Sequence, residues 1–435
     1  MLGTNWSRHL GLLAALGVLA TACAQQPEAP QPPPQVETEP PRSPAEDGGD
    51  GVLKLGYVLP ETGELAFLGP PMVQASRYAI QQINDAGGVL GEPVPDIVGG
   101  DEAGNEQVAN QAADRLLAED VDAIIGAAAS AMTLAIIDKV TGAGVVMCSG
   151  SNTAPTLTDY DDDGFYFRTA PTDRLQAPVL ADTIVGDGHA NVAVVARADE
   201  YGQSLADVTA EALEESGATV ALSTTYAPDT TDFNATVQQL AGANPDAVVV
   251  IAFEEGAQLI RTMIERGLGP DRVGVYGTDG LRSEELPNTV APGNPGALAD
   301  MKGTAPAPAE GDPGFLDALR DFAPDLQETT FAGQSYDCVN IVALAAEQAG
   351  TDDPSVFKDE VVEVTKDGTA CTSFEECKRL LADGEDIDYN GASGPLDFVD
   401  AGEPASGTYE VWTYNEQGQL QTLDTVESRL PEAEA

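Results

Sequence analysis

The chain has 435 residues, with 20 Lys and Arg against 72 Asp and Glu and a formal net charge of −52. That length allows two or three domains with real cores. The charge excludes nucleic acid and anionic lipid as partners, since both would be repelled, and it fits a protein kept soluble in salt or made by an organism with an acidic proteome.

Residues 1–23 form a unit of their own. Arg8 and His9 precede the apolar run "GLLAALGVLA", and "TAC" closes it. The run is shorter than the ~20 residues a membrane-spanning helix needs, so it reads as a secretory signal. Ala20, Thr21 and Ala22 before Cys23 resemble a bacterial lipobox, whose cysteine is lipidated and becomes the mature N-terminus. The residue three before that cysteine is usually Leu; the alternative is an ordinary cleavage site beside a stray cysteine. Residues 24–50 hold eight prolines and several acids but no aromatic, a composition that cannot bury a core and predicts an extended, disordered tether. Anchor, tether and soluble body together describe a protein held just outside a membrane.

The body alternates short apolar runs with amphipathic helices. "VLKLGYVLP" reads as a strand, "PPMVQASRYAIQQINDAGG" as a helix stopped by glycines, and "VANQAADRLLAED" as a helix. A strand "VDAIIGAAAS", a helix "AMTLAIIDKVTGAG" and a strand "VVMCSG" follow. The order then recurs in "NVAVVARADEYGQSLADVTAEALEESGATV", "FNATVQQLAGANPDAVVVIAF" and "EEGAQLIRTMIERGLGPDRVGVYGTDG". Residues 52–153 and 191–280 thus read as two copies of one doubly wound α/β unit with a parallel sheet.

Ligands of such sheets bind outside the carboxyl ends of the strands. The residues following each strand are Phe67 and Leu68, Ser130, and Ser149 to Thr153 in the first copy; Tyr201, Phe253 and Asp279 follow in the second. Hydroxyls and helix N-terminal amides suit a carboxylate, and a buried Asp suits an ammonium. The cleft chemistry indicates a free amino acid or another small zwitterion.

Catalytic and metal sites are poorly supported. The only histidine after the signal, His189, sits in the polar turn "GDGHAN". Cys148 as a nucleophile would need an electropositive neighbourhood, and its flanks carry no Lys or Arg. "DYDDDG", Asp159 to Gly164, matches the first half of a calcium loop, yet Ala170 stands where the bidentate Glu belongs; a solvated acidic turn is the plainer reading. No metal, cofactor or enzyme activity is expected. Four cysteines follow Cys23, an even number suited to two disulfides in an exported chain. Cys371 and Cys377 can close a small loop, leaving Cys148 to pair with Cys338. The rival, a four-cysteine zinc site, is disfavoured because only one pair is close in sequence.

Across nearly the whole body the sequence resembles the leucine/isoleucine/valine-binding proteins of ABC importers. The stretches that carry the likeness, in order, are "GELAFLG", "AIQQINDAGGVLG", "IIGAAAS", "SGSNTAPTLTD", "YFRTAPTD", "DEYGQSL", "PDAVVVIAF", "VYGTDG", "SYDCVNIVALAAE" and "NGASGPLDF". The resemblance implies the type I periplasmic-binding fold, two Rossmann-like doubly wound lobes joined by a three-strand hinge. Chain crossings are implied near "FRTAPTD", "TAPAPAE" and "NGASGPLDF". They give one lobe of residues 51–171 plus 308–392, a second of 172–307 plus 393–428, and a disordered tail at 429–435. Cys148 and Cys338 would then share a lobe.

The same resemblance assigns the ligand carboxylate to Ser130, Ser151 and Thr153, and the ammonium to Asp279, where the family often has Glu, together with the Ser151 carbonyl. Tyr201 would line the cleft. Phe253 stands where a tyrosine occurs, and Phe67 and Leu68 replace a tyrosine before the loop glycine. Both departures bear on side-chain specificity. A helix beginning near Tyr336 would face the cleft or the core. The implied partners are an amino acid and ABC permease subunits, with the chain a monomer, lipid-anchored on the outer face of the cytoplasmic membrane. A ligand-sensing receptor, a binder of urea or short amides, and an amidase-like enzyme are the alternatives.

Overall fold

The computed structural model describes residues 49–307 and 314–431. The signal, Cys23, nearly all of the tether, part of the second crossing and the last four residues lie outside the described residues. The elements run β1 (Leu55–Leu59), α1 (Gly69–Asp85), β2 (Val98–Asp101), α2 (Glu106–Ala118), β3 (Ala123–Gly126), α3 (Ser130–Thr141), β4 (Val146–Ser149), β5 (Tyr166–Arg168), α4 (Asp173–Gly186), β6 (Asn191–Arg197), α5 (Glu200–Glu215) and β7 (Thr219–Tyr226). They continue with α6 (Asn234–Ala243), β8 (Ala247–Ile251), α7 (Gly256–Glu265), β9 (Gly274–Gly277), α8 (Leu286–Val290), β10 (Lys302–Pro306), α9 (Phe315–Phe322), α10 (Ala332–Ala349), α11 (Pro354–Phe357), β11 (Thr369–Cys371), α12 (Phe374–Ala382), β12 (Ile387–Gly391), β13 (Gly394–Pro395), β14 (Phe398–Val399), β15 (Glu403–Pro404), β16 (Ser406–Tyr414) and β17 (Leu420–Arg429).

Two sheets organise the body. The first has the order β2-β1-β3-β4-β5 and is parallel throughout. The second has the order β7-β6-β8-β9-β10, again parallel, extended by the antiparallel hairpin β16–β17. The first five strands of each sheet follow one winding order, so the duplication read from sequence is a repeat of topology. The hairpin has no counterpart in the first sheet.

After β5 the chain passes through residues 169–172 into α4, which packs on α5, β10 and the hairpin of the second lobe. After β10 it returns to α9 and α10, which pack along α1 of the first. It crosses a third time between β13 and β16. Three connections with two doubly wound lobes are the hinge the resemblance implies.

The sequence signals behind the helices are local. Asn105 caps α2 by accepting from the Gln107 and Val108 amides, Asp199 caps α5 through the Gly202 amide, and Ser373 caps α12 through the Glu376 amide. Gly87 and Gly88, both at positive φ, stop α1.

Several elements are not read from the sequence. β2 and β7, the equivalent edge strands of the two sheets, are not apparent in the sequence. β2 is short and carries Gly99 where a Cβ would collide with the Tyr57 ring. β7 is an edge strand with half-exposed residues along most of its length. α4 carries Pro178 in its second turn, which obscures the helical pattern in the sequence. The hairpin β16–β17 occupies residues 406–429, a stretch for which no strand is read from the sequence.

Both disulfides are present. Cys148 of β4 bonds Cys338 of α10 with their Cα atoms 5.7 Å apart, and Cys371 at the end of β11 bonds Cys377 of α12. Among the described residues no helix is long and apolar enough to cross a membrane.

Candidate ligand cleft between the lobes

The carboxyl ends of the strands converge on one small cavity. Leu65 and Leu68 reach it from the loop after β1, Ala128, Ala129 and Ser130 from the turn after β3, and Ser151 from the loop after β4. The second lobe contributes Tyr201 at the start of α5, Phe253 after β8, and Asp279 and Gly280 after β9. Phe331, ahead of α10, completes the wall. In this conformation the cavity measures about 20 Å³, roughly room for one water, so a larger ligand enters only as the lobes part. An outer cleft of about 890 Å³ shares Leu65, Ala129 and Phe253 with it.

The first-lobe wall is built of backbone and hydroxyls held from behind. The Glu102 carboxylate, fully buried, accepts the Ala128 and Ala129 amides at 2.7 and 3.2 Å. It fixes the turn that leads into α3, and burial pushes its pKa up to about 8. Ser149 donates to the Ala127 carbonyl at 2.8 Å and accepts from the Asn152 amide, so its hydroxyl closes a turn and is not offered to a ligand. Asn152 donates to the Ala127 and Ala128 carbonyls at 3.1 and 2.8 Å. Ser151 lines the cavity while donating to the Ala128 carbonyl at 3.0 Å, and Ser130 accepts from the Ala154 amide at 3.4 Å. Cys148, one residue before this loop, is buried in its disulfide.

Arg168 of β5 anchors the same loop. Its guanidinium, 1% exposed, donates to the Asn152 and Ala154 carbonyls at 3.4 and 2.9 Å and to Thr158 at 2.8 Å. Glu403 of β15 neutralises it, accepting from Nε at 2.8 Å and from Nη2.

The floor is acidic. Asp279 accepts from Gln176 Nε2 at 3.0 Å and from the Tyr201 hydroxyl at 2.9 Å. Asp173, the first residue of α4, is buried beside it. Its carboxyl oxygens make no hydrogen bond, although the Thr153 hydroxyl stands near enough to favour the charged form. Burial first, then the neighbouring Asp279 charge, holds Asp173 well above the usual carboxylate range. Burial likewise raises Asp279, against the opposing pull of Gln176 and Tyr201. Gln176 Oε1 and Thr153 Oγ1 are also buried without partners. Buried polar atoms left without partners are costly, and of this group Asp279 is the one that lines the cavity, where an arriving ammonium would meet it.

The aromatic wall is ordered. Tyr201 and Phe253 stack with centroids 5.1 Å apart and planes 18° apart, and the Tyr201 hydroxyl is taken up by Asp279 and Thr278.

Six of the eight residues expected at the site, Leu68, Ser130, Ser151, Tyr201, Phe253 and Asp279, line this cavity together. Thr153 is buried but does not line it; its carbonyl receives the Asp173 amide at 2.8 Å. Phe67 is half-buried against the main hydrophobic core. Sequence reasoning missed Leu65, Phe331, Asp173 and Gln176. Leu65 and Asp173 stood inside stretches already singled out, whereas Phe331 precedes a helix and has a positive φ of 59°, which nothing in its sequence signals.

The other candidates fall elsewhere. Tyr336 packs on Tyr78 and Phe315 and donates to Gln82, a core position. Asp337 accepts from Tyr389 at 2.9 Å and from the Ala392 and Ser393 amides; burial pushes its pKa up to about 6. His189 stands edge-on to Tyr276, 3.9 Å from Asp246. In "DYDDDG", Asp162 accepts the Phe165 and Tyr166 amides and Asp159 faces Arg174 at 3.7 Å. Among the described residues no cluster of three or more His, Cys, Asp or Glu is arranged to hold a metal.

A family model described as "Periplasmic binding protein" matches residues 52–419. The chain belongs to the periplasmic binding protein family. This is a family of solute-binding proteins and not of enzymes. A curated relative, Leu/Ile/Val-binding protein homolog 3 of Brucella melitensis, is 26% identical over 369 residues, covering 84% of this chain and 92% of the relative. The chemotactic signal transduction system substrate-binding protein BasB of Halobacterium salinarum is 28% identical over 367 residues, covering 82% and 85%. Among solved structures, the leucine binding protein LivK of Thermotoga maritima superposes with a TM-score of 0.72 at 22% identity, covering 86% of this chain and 98% of that one. That likeness establishes the type I periplasmic-binding fold.

Proposed function

We propose that this chain is the extracytoplasmic substrate-binding lipoprotein of an ABC importer, capturing a branched-chain amino acid or related small zwitterion between its lobes by hinge closure. The lobes are residues 51–171 plus 308–392 and 172–307 plus 393–428. Cys23 carries the lipid that holds the monomer on the outer face of the cytoplasmic membrane, and permease subunits receive the ligand. The ligand carboxylate lies on Ser130 and the first amides of α3, with Thr153 buried behind them. The ammonium lies on Asp279, Asp173 and the Ser151 carbonyl. The side chain packs against Leu65, Leu68, Phe253 and Phe331.

The observation that carries this reading is the Asp279 carboxyl, which lines the cavity with Asp173 buried behind it, while the remaining wall is hydroxyl, backbone and apolar. The names of the relatives, with leucine, isoleucine and valine in them, support the same ligand class. A thermal-shift panel of L-amino acids, short amides, urea and aromatic acids tests it. A ligand at ~100 times its dissociation constant adds ~2.7 kcal/mol of stability. Stabilisation by L-leucine, L-isoleucine or L-valine is expected; a panel in which only urea, amides or aromatic acids stabilise overturns it.

A second reading, a ligand-sensing receptor lipoprotein, is favoured by the likeness to BasB. Co-purification from membranes separates the two, with permease subunits expected for the importer and a transducer for the receptor.

A further inference from the structure

Two arginines of the second lobe reach across to the first. Arg197, at the end of β6 and 6% exposed, is fixed within its own lobe by Asp199 at 2.6 Å and Glu255 at 2.8 Å. Its guanidinium lies 3.7 Å from the centroid of Phe253. The same Nη1 bonds Glu64 of the first lobe at 3.1 Å, and Glu64 directly precedes Leu65 of the cavity wall. Arg282, three residues after Asp279, is fixed in its own lobe by Glu410 of β16. Its Nη1 bonds Glu328 at 3.3 Å and Thr330 at 3.0 Å. Glu328 is held in turn by the Thr329 and Thr330 amides, in the loop that ends at Phe331 of the cavity wall.

The two contacts share one design. A guanidinium already immobilised by carboxylates of its own lobe has little rotamer freedom left to lose when it meets a partner across the cleft. Each partner glutamate sits on a loop that carries an apolar residue of the ligand wall. The chain has 72 acidic against 20 basic residues, so apposing its lobes brings like charges together. Guanidinium bridges where the lobes meet offset that repulsion. Arg197 also packs on Phe253, which stacks on Tyr201, whose hydroxyl bonds Asp279. The Glu64 bond is therefore mechanically continuous with the acidic floor.

We propose that Arg197 and Arg282 are clasps across the cleft, positioning residues that bond Glu64 and Glu328 only when the lobes are closed and so set how long the ligand is retained. This rests on the reading of the cleft as a closing ligand site. Glu64 is 40% exposed and Glu328 15%, so screening by salt weakens the Glu64 clasp more.

The test uses the full mature chain with Glu64→Gln, Glu328→Gln and both together. These exchanges remove the charge while leaving each arginine held by its own lobe. Stopped-flow dissociation of L-leucine is expected to quicken roughly fivefold to tenfold for each change, as for a partly buried charged hydrogen bond. The two factors multiply in the double variant, and the association rate stays near that of the wild type. Added KCl quickens dissociation from Glu328→Gln, which retains the Glu64 clasp, more than from Glu64→Gln. Small-angle scattering of the ligand-free chain is expected to show a larger radius of gyration for the double variant, whichever ligand is native. Unchanged dissociation, or an unchanged radius with only a lowered melting temperature, overturns the clasps. If L-leucine fails to bind the wild type, the amino-acid reading fails on its own and the scattering arm decides the clasps.

Discussion

Replacing Asp279 by Asn should move stability and affinity in opposite directions. In the wild type the Asp279 and Asp173 carboxyls are buried side by side, both raised mainly by burial, and the Asp279 charge raises Asp173 further. Asn at 279 removes that like charge. Gln176 Oε1, which has no partner in the wild type, can accept the new amide hydrogens, so the exchange leaves no fresh orphan. The ligand-free chain should therefore gain stability near neutral pH, by about 1 kcal/mol or a melting point about 1–2 °C higher. Affinity for L-leucine should fall, because a charge-assisted hydrogen bond to the ammonium is replaced by a neutral one. That loss is about 1.5–3 kcal/mol, roughly 10- to 150-fold in dissociation constant. Calorimetric titration with L-leucine and with its deaminated analogue 4-methylpentanoate reads the affinities, and scanning calorimetry reads the stability. Equal weakening for both ligands, or a destabilised ligand-free chain, would refute the role given to the acidic floor.

The same pair makes binding linked to protons. Its folded pKa values lie above the ordinary Asp value, so this contribution to stability is fully present in acid and is lost as pH rises through the folded values. An arriving ammonium favours the charged carboxylates, so binding should release a proton and affinity should rise with pH until the ligand-free pair is ionised. Titrations in buffers of different ionisation enthalpy measure the release, and a heat independent of buffer contradicts it. Arg168→Met strands Glu403 in the core; loss of one partner of a buried ion pair costs about 3–5 kcal/mol, read by urea unfolding, and a loss below ~1 kcal/mol would remove the anchoring role. Replacing Cys148 and Cys338 together by Ala opens a link across 190 residues. In the chain-entropy picture this costs about 5 kcal/mol against about 2 kcal/mol for Cys371 and Cys377, whose separation is 6, so the melting-temperature drop should be roughly twice as large; equal drops would contradict it.

The sequence carried the repeated winding because its central strands are continuous apolar runs, such as "AVVVI" of β8, buried along their whole length. Edge strands β2 and β7 were illegible for the converse reason: exposed on one side, they need no apolar run. Site residues at strand ends, among them Ser130, Tyr201, Phe253 and Asp279, follow from the rule that ligands sit at the carboxyl edge of a parallel sheet. Phe331 and Gln176 obey no such rule. Phe331 arrives from the segment before α10, and Gln176 from a helix that contains Pro178, so only the folded chain brings them in. Asp173 stood in view within "TAPTD", but its burial beside Asp279 depends on docking of α4 against β10, a contact between segments more than a hundred residues apart.

Calorimetric titration of the mature chain with L-leucine, L-isoleucine, L-valine, urea and benzoate tests the central claim most directly. A 1:1 complex with at least one of the three amino acids, and none with urea or benzoate, is the predicted result. Binding of urea or benzoate with no heat from any of the three amino acids would contradict it.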